Sequence, residues 1–370
     1  MALATLLIGI LLAYANGAND NFKGVATLFG SGTTNYRGAL LWATLATGLG
    51  SLTALFLAQE LLSAFTGRGL VPDEVVTDPG FPLAVAFGAG STVMIATRLG
   101  FPISTTHALI GALVGVGIAK SPDGVNIQAL GNGFLLPLVT SPFIAIGLAA
   151  IVYPPLRWLR GKLGIVKETC VCVGREVLAV VAGHVNRTQA LELASLPSVT
   201  VADELSCNVR YQGSMVGISV SKLLDGAHFL SAGAVSFARG VNDTPKIAAL
   251  LLAGELFPPM FAISLVAIAI ASGGLLSARR VAETMAHRIT EMSPGQGLTA
   301  NVITAGLVIG ASSFGMPVST THVSCGALFG IGATTQQAHW NTIVRIALAW
   351  LVTLPLAAGL GILFASASPF

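Results

Sequence analysis

Charged residues are scarce in this chain of 370 residues: Asp, Glu, Lys and Arg together make up only 9% of it. A typical soluble domain carries about 25%. Because 54% of the residues are hydrophobic and the mean hydropathy is +0.80, this composition excludes a water-soluble globular protein. The net charge of +3 comes without a basic run, so a nucleic-acid partner is not expected.

Sequence signatures of enzymes are also missing. The chain has no G-x-x-x-x-G-K-[ST] loop for ATP and no H-E-x-x-H metal motif. Its four cysteines include no second pair at the spacing typical of zinc ligands; they are Cys170, Cys172, Cys207 and Cys325. We therefore expect neither an enzyme nor an ATP-driven pump.

Long apolar runs, in contrast, recur along nearly the whole chain. Each is close to the length of about 20 residues that a helix needs to cross a bilayer. Clear examples are Gly38–Ala58, Phe134–Tyr153, Met260–Ser277 and Ile343–Ala365. Because a lipid-exposed backbone must satisfy its own hydrogen bonds, apolar runs without a period of two predict helices. Met1–Ala15 is predicted as the first membrane helix and not as a cleaved signal. The predicted fold class is an all-α polytopic membrane protein.

One polar stretch interrupts this pattern and divides the chain. We predict a membrane repeat over residues 1–156, an extramembrane insert over residues 157–222 and a second membrane repeat over residues 223–370. Within the insert, short alternating runs occur at Thr169–Val173 and Ser198–Val201, and a helix-like run occurs at Arg187–Ala194. The insert is therefore expected to have mixed structure.

The two apolar halves carry the same polar motifs in the same order. Phe101–Gly117 and Met316–Gly332 are identical at ten of 17 aligned positions, including a shared P-x-S-T-T-H core. Ala13–Lys23 and Ser236–Lys246 match at five of 11 positions, including Gly-x-Asn-Asp. Chance similarity between apolar helices would not duplicate polar residues in this way, so we interpret the halves as an internal repeat.

Loop charges indicate that the two halves are inverted with respect to each other. Loops on the cytoplasmic side of a membrane collect Lys and Arg. Residues 59–80 are mainly acidic, whereas the equivalent residues 277–297 contain Arg279, Arg280 and Arg288, and residues 157–175 contain five basic residues. We therefore expect about ten to twelve membrane segments, some broken or re-entrant, in two inverted repeats with a cytoplasmic insert.

The first motif places a carboxylate and an amide inside an apolar segment, where an ionisable residue is costly and needs a partner or a use. Asn19 and Asp20 are repeated as Asn242 and Asp243. Gly17 and Gly240 precede them and are expected to permit local unwinding, which would turn backbone carbonyls inward. Such a cluster of oxygen atoms suits Na⁺. The alternative is an Asp that only pairs with Lys23 or Lys246, or caps a helix.

The second motif has the composition of a helix N-terminus, because Pro is followed by hydroxyl residues. The first-turn N–H groups have no partner within the helix and carry partial positive charge, so two such termini could bind one tetrahedral anion. The candidate anion-binding residues are Ser104, Thr105, Thr106, Ser319, Thr320 and Thr321. In the alternative interpretation these hydroxyls only cap two helices. The following His107 and His322 are expected to support the site by hydrogen bonds within the bundle, or to contact the bound anion or a proton.

The S-T-T segments themselves contain no symmetric basic residue, since the counterpart of Arg98 is Ser313. A buried anion is costly unless its charge is neutralised. We therefore expect cations bound at the two Asn-Asp pairs to neutralise it, which would couple anion transport to a cation gradient.

Together, these motifs resemble the inorganic phosphate transporter (PiT) family, which carries a duplicated G-A-N-D signature and a duplicated P-x-S-T-T-H segment. The resemblance covers both membrane halves. It implies a symporter of inorganic phosphate with Na⁺ or protons in the cell membrane, as a homodimer with both termini outside. By motif, Asn19, Asp20, Asn242, Asp243, Thr105 and Thr320 would bind sodium, while the two S-T-T segments with Asp20 and Asp243 would bind phosphate. The chain departs from the signature at Asn21-Phe22-Lys23 and at Val241.

Several alternatives to sodium–phosphate symport by alternating access stay open at this point. The cargo could be phosphate with protons, a metal–phosphate complex, or sulfate or another oxyanion. From other classes, an anion channel would pass current without a cation gradient, and a receptor would bind a ligand without transporting it.

Overall fold

The computed structural model describes residues 2–122, 124–165, 169–175, 197–203, 206, 215–253 and 257–367. The predicted helix at Arg187–Ala194 and Cys207 lie outside these ranges. The chain separates into two compact units, one formed by Met1–Tyr153 with His228–Phe370 and the other by Pro154–Ala227. The division into membrane repeats and an insert at the boundaries given above stays a prediction.

The first half of the larger unit begins with helix α1 and ends in the long helix α8, which contains a π-helical turn at Leu130–Leu135. Its helices are α1 (Ala2–Asp20), α2 (Ala26–Gly30), α3 (Tyr36–Leu57), α4 (Gln59–Ala64), α5 (Asp73–Val76), α6 (Gly80–Leu99), α7 (Thr105–Lys120) and α8 (Ile127–Lys162).

The second half begins with α9, which has 33 residues and is the longest described helix after α8. Its helices are α9 (Val220–Leu252), α10 (Pro259–Ser277), α11 (Arg279–Glu283, continued by a π-helical turn at Thr284–Arg288), α12 (Pro294–Ser313), α13 (Thr320–Thr335) and α14 (Trp340–Ala367).

Six described helices are long and apolar enough to cross a membrane: α1, α3, α6, α8, α10 and α14. Helix α3 shows why they need lipid, because Leu41, Leu45, Leu49, Leu52 and Phe56 form an exposed stripe at helical spacing. In water such a stripe would be unfavourable. The prediction of an all-α polytopic membrane protein is confirmed. The shorter α7 and α13 and the more polar α9 and α12 fall outside this criterion.

The two Asn-Asp motifs lie in different backbone conformations. Helix α1 ends at Asp20, and a turn leads to α2 at Ala26, so the first half has a broken helix. Helix α9, however, continues through Asp243 to Leu252. Pro245 within it has no N–H and so removes one helical hydrogen bond without ending the helix. The expected break therefore occurs at the first motif, three residues after Gly17, whereas the expected unwinding at Gly240 is wrong.

Both glycines instead allow helices to approach closely. A Cβ atom at Gly17 would clash with the carbonyl oxygen of Ile270 in α10, and one at Gly240 would clash with the carbonyl oxygen of Thr47 in α3. Because these neighbouring atoms belong to the backbone, they cannot move aside as a flexible side chain could. The two contacts are equivalent in the two repeats, so small residues here serve packing between membrane helices.

The smaller unit contains a three-stranded antiparallel sheet with the order β2-β1-β3, formed by β1 (Thr169–Arg175), β2 (Pro197–Asp203) and β3 (Met215–Ser219). Both alternating runs noted in the sequence lie within strands. Cys170 and Cys172, two positions apart on β1, are both buried, whereas Val173 is exposed. This alternation follows from the period of two along a strand.

Replacing Gly17 by Ala should lower the thermal stability of the detergent-solubilised protein, because the added methyl group meets the α10 backbone. We expect a loss of about 1–3 kcal/mol, the usual cost of overpacking. Gly306→Ala is the matched control, since Gly306 lies in helix α12 with open space around its Cβ position. Equal melting temperatures for the two variants would contradict the assignment of Gly17 to close helix packing.

Candidate substrate and cation site

Two helices begin at the duplicated P-x-S-T-T-H motif. In each copy a glycine with positive φ ends the preceding segment: Gly100 at 77° and Gly315 at 66°. Ser104 then caps α7 by accepting a hydrogen bond from His107 N, and Ser319 caps α13 by accepting one from His322 N, both at 3.1 Å. These serine hydroxyls therefore act as helix caps, and each keeps a hydrogen atom to donate.

The two helix N-termini contact each other. The Thr321 hydroxyl donates to the carbonyl oxygen of Ile103 at 2.9 Å, and the Thr106 hydroxyl donates to that of Val318 at 3.4 Å. Thr106 and Thr321 are equivalent residues of the two repeats, and so are Ile103 and Val318. The contact is thus reciprocal, and it brings both S-T-T segments to one place in the bundle.

The two aspartates share a hydrogen-bond donor. The Asn16 amide nitrogen donates to Asp20 Oδ2 at 3.1 Å and to Asp243 Oδ2 at 3.3 Å. Thr105 Oγ1 donates to Asp20 Oδ2 at 3.1 Å and lies 3.0 Å from the same Asn16 nitrogen. Both carboxylates are almost fully buried. Asp20 and Asp243, far apart in sequence, therefore form one cluster with a residue of the first S-T-T segment.

Lys23 lies at the centre of the first half of this cluster. Its ammonium group forms an ion pair with Asp20 and donates to Asn19 Oδ1 at 2.8 Å. It also contacts the carbonyl oxygen of Ile103 at 2.7 Å and the hydroxyl of Thr321 at 2.6 Å. The pairing of Asp20 with Lys23, one of the alternatives considered from sequence, is thus present.

Lys246, the equivalent residue, makes the equivalent contacts to the other helix. Its ammonium group donates to Thr106 Oγ1 at 2.9 Å and to the carbonyl oxygen of Val318 at 3.0 Å. The two lysines therefore supply the symmetric positive charge that the S-T-T segments themselves lack. The S-T-T segments have no basic residue of their own, as the sequence shows, but the Asn-Asp motifs bring one lysine to each of them.

Arg239 is the cation nearest to Asp243. Its Nε lies 3.8 Å from Asp243 Oδ2, and its two terminal nitrogens donate to Asn21 and Asn16, each at 3.3 Å. Asn16 and Arg239 hold equivalent positions, four residues before the aspartate of each repeat. The repeat symmetry is therefore broken at this pair, with a neutral amide on one side and a guanidinium group on the other.

Asn19 and Asn242 connect the cluster to the neighbouring helices. Asn19 donates to Thr97 at 2.9 Å, and its Oδ1 accepts from Ile103 N at 3.2 Å. Asn242 donates to Asp243 Oδ1 at 2.9 Å and accepts from Ser312 at 3.1 Å. Both amides are thus fixed in orientation by partners on α6 or α12.

His107 and His322 face each other behind the S-T-T segments, with ring centroids 4.4 Å apart. Trp350 covers His322 at 3.9 Å and donates from Nε1 to the carbonyl oxygen of Pro102 at 3.0 Å. Within the described part of the chain, His107 Nδ1 and His322 Nε2 have no hydrogen-bond partner. Each imidazole therefore keeps one nitrogen atom without a protein partner.

The residues predicted to bind sodium fit that ion only in part. Asn19 Oδ1 and Asp20 Oδ1 are already held by the Lys23 ammonium group. Asp20 Oδ2, Thr105 Oγ1 and Asp243 Oδ2, in contrast, surround the Asn16 amide and offer hard oxygen ligands at the junction of the two halves. Asn242 contacts Asp243, and Thr320 is the buried first residue of α13.

The motifs did not predict that Asn16, Arg239, Thr97 and Ser312 belong to this cluster. A signal for two of them existed, because Asn16 and Arg239 are polar residues in apolar helices, one helical turn before each aspartate. Thr97 and Ser312 are hydroxyl residues at equivalent positions five residues before the motif prolines. Their roles depend on contacts between helices, which spacing alone does not give.

The fold and this cluster define a class: a polytopic helical membrane protein in which two capped helix N-termini and two carboxylates meet inside the bundle. Residues 16–361 match the phosphate transporter family, and the chain belongs to that family. The resemblance indicated by the duplicated motifs is confirmed.

Relatives of this chain extend over nearly its full length. A protein of Pyrococcus abyssi named as a phosphate permease is 28% identical over 392 residues, covering 96% of this chain and 95% of the relative. The chloroplastic inorganic phosphate transporter 2-1 of Arabidopsis thaliana is 25% identical to this chain. The match covers 98% of this chain and 71% of the relative. The solved structure of a sodium-dependent phosphate transporter has the same fold, with a TM-score of 0.75 at 21% identity, covering 99% of this chain and 98% of that one.

Asn16→Leu should destabilise the protein, because it leaves two buried carboxylate oxygens without their shared donor. We expect a loss of about 1–3 kcal/mol, the cost of an unsatisfied buried acceptor, because Asp243 Oδ2 loses its hydrogen-bond donor among the described residues, whereas Asp20 Oδ2 keeps the Thr105 hydroxyl. Thermal unfolding in detergent measures it. Asn132→Leu, the same substitution at an exposed position of α8, is the control and should change stability little. If both variants melt alike, Asn16 does not hold the two aspartates together.

Proposed function

We propose that this protein is a secondary active symporter that moves inorganic phosphate together with Na⁺ across the cell membrane by alternating access. One observation carries the proposal: two buried carboxylates and two helix N-termini from the two halves meet in a single cluster. Such a cluster offers hydrogen-bond donors to an anion and oxygen ligands to a cation in the same place.

Phosphate would bind where the S-T-T segments meet. Free first-turn N–H groups and hydroxyls favour a tetrahedral oxyanion, and the helix dipoles favour its negative charge. In this proposal Ser104, Thr105 and Thr106 of α7 act together with Ser319, Thr320 and Thr321 of α13. Lys23 and Lys246, which touch the threonines of these segments, add charge-assisted donors.

Sodium would bind at the Asn-Asp pairs, with Asp20 Oδ2 and Asp243 Oδ2 as the carboxylate ligands. Asn19, Asn242, Thr105 and Thr320 complete the proposed set by motif. The sodium dependence of the solved relative with this fold supports Na⁺ as the coupling ion. Binding of a cation next to the anion lowers the cost of holding either charge in a low-dielectric site, which gives a physical basis for coupling.

Transport would follow from a movement of one half against the other. The proposal includes two inverted repeats, a homodimer, both termini outside and the insert in the cytoplasm. The reciprocal bonds from Lys23 to Thr321 and from Lys246 to Thr106 link the proposed halves, so they would have to exchange partners as the site opens. Phosphate is well suited to make that exchange, because it presents acceptor oxygens to the same donors.

Asp20→Asn and Asp243→Asn should each abolish sodium-stimulated phosphate uptake, because each removes a carboxylate ligand while preserving shape. Uptake of labelled phosphate into proteoliposomes measures the effect. Reconstitution and monodispersity of each variant serve as controls for insertion. Unchanged sodium stimulation in both variants would exclude the proposed coupling site. If sulfate competes fully with phosphate uptake, the protein is a general oxyanion permease and not a phosphate-specific one.

Proton coupling is a second candidate, and the facing histidines favour it. His107 and His322 each present a buried nitrogen without a protein partner among the described residues, at the point where the two halves meet. An imidazole in this position could carry a proton with the anion.

Imposed gradients separate the two candidates. A Na⁺ gradient at constant pH should drive phosphate accumulation, and His107→Gln with His322→Gln should preserve that accumulation. If only a pH gradient drives accumulation, and the double histidine variant loses it, proton coupling replaces sodium coupling. Current without accumulation under either gradient would indicate an anion channel.

A further inference from the structure

The ammonium group of Lys23 lies in a cage of oxygen atoms of the kind that binds a monovalent cation. Its ligands are Asn19 Oδ1 at 2.8 Å, the Ile103 carbonyl oxygen at 2.7 Å, Thr321 Oγ1 at 2.6 Å and the Asp20 carboxylate. The lysine is only 2% exposed. Four oxygens around one ammonium exceed its three N–H donors, so the cage matches a spherical cation at least as well as it matches lysine.

Two of these ligands, Asn19 and Asp20, belong to the set predicted to hold sodium. Lys23 stands where the sequence departs from the family signature, three residues after the aspartate. We infer that Lys23 is a tethered cation that occupies one of the two cation positions of this site, so that phosphate moves with fewer Na⁺ ions than two intact Asn-Asp sites would require. This inference rests on the proposed function.

The equivalent Lys246 does not occupy its own Asn-Asp pair in the same way. Its hydrogen bonds among the described residues go to Thr106 and the Val318 carbonyl oxygen, and its ammonium lies 5.5 Å from the centre of the Phe65 ring. Asp243 is instead paired with Arg239 at 3.8 Å. The duplicated positions are therefore unequal: one is filled by a lysine, and the other keeps its carboxylate beside the junction of the two halves.

Charge balance supports the same conclusion. The buried Asp, Lys and Arg side chains of the described chain are three cations and two anions: Lys23, Arg239, Lys246, Asp20 and Asp243. In ionised form they leave one net positive charge. Dihydrogen phosphate alone, or hydrogen phosphate with one Na⁺, would make the site neutral. Because uncompensated buried charge is costly, a second Na⁺ would be disfavoured as long as Lys23 is present.

Lys23→Met tests this inference, because it keeps the length of the side chain and removes its charge. Binding of radioactive Na⁺ to the purified full-length protein, at saturating inorganic phosphate, gives the number of ions per protein. We expect the variant to bind one Na⁺ more than the wild type. Its phosphate uptake should fall about tenfold or more at low Na⁺, as expected for loss of a charge-assisted contact, and recover at high Na⁺.

Lys246→Met is the matched control: it removes the same buried charge, but the Lys246 ammonium touches no carboxylate or side-chain amide oxygen of the described cluster, and Lys23 still fills the oxygen cage. It should lose phosphate affinity without gaining a sodium ion. Lys23→Arg, which preserves the charge, should keep the wild-type sodium count. An unchanged sodium count in Lys23→Met would overturn the inference.

If Lys23→Met folds poorly, its thermal stability in NaCl and the sodium count of the wild type test the same inference. NaCl, but not choline chloride, should raise the melting temperature of that variant more than it raises that of the wild type. The wild type should bind no more than one Na⁺ per phosphate, and two or more ions would overturn the inference.

Failure of the proposed function gives a different pattern. Wild-type protein that shows no sodium-driven uptake, while Lys23→Met gains a sodium site, would refute sodium coupling and support the tethered cation. Sodium-driven uptake by the wild type, with no added sodium site in the variant, would leave the proposed function standing and refute the role of Lys23.

Discussion

The interior of this protein is organised by the cost of burying charge. Five ionisable side chains lie inside a helical bundle whose outer surface faces lipid, and in charged form none of them could stay there without partners. The structure meets this constraint by bringing them together: Asn16 bridges the two aspartates, Lys23 and Arg239 pair with them, and Lys246 lies against the second helix start. The helix contacts through Gly17 and Gly240 keep the surrounding segments close enough for these bonds.

In the proposed function this cluster is both a stabilising network and the binding site. Each charged group has neighbours that could also bind a phosphate oxygen or a cation, so in the proposed function a ligand would replace existing partners. Hydroxyls, amides and helix N-termini hold an anion with moderate strength, which suits a protein that must release its cargo. Because these groups form hydrogen bonds and ion pairs with one another, the bundle can bury so many polar residues.

Much of this arrangement could be predicted from local sequence rules. Membrane helices follow from the length of apolar runs, and the starts of α7 and α13 follow from Gly, Pro and Ser at fixed spacing. The duplication of both motifs pointed to a shared site, and Asp20 and Asp243 do meet. What sequence could not give was the choice between two uses of the same residue. A glycine before an aspartate can unwind a helix, or it can let the backbone of a neighbouring helix approach closely. Only the positions of Ile270 and Thr47 in the neighbouring helices show which of the two applies. Likewise, the hydrogen bond from Lys23 to Thr321 joins residues almost 300 positions apart in the chain, which local sequence rules do not predict.

In the proposed carrier, the difference between Asn16 and Arg239 affects the relative energies of the inward-facing and outward-facing forms. In a carrier made of two identical inverted halves, the inward-facing and outward-facing forms would have equal energies in a symmetric bilayer. A neutral amide in one half and a guanidinium group in the other remove that equality, because the aspartate beside Arg239 keeps a counter-charge in its own helix, whereas Asp20 depends on Lys23 across a turn. Under the proposed function, this difference between the repeats would itself make one orientation of the empty carrier lower in energy than the other.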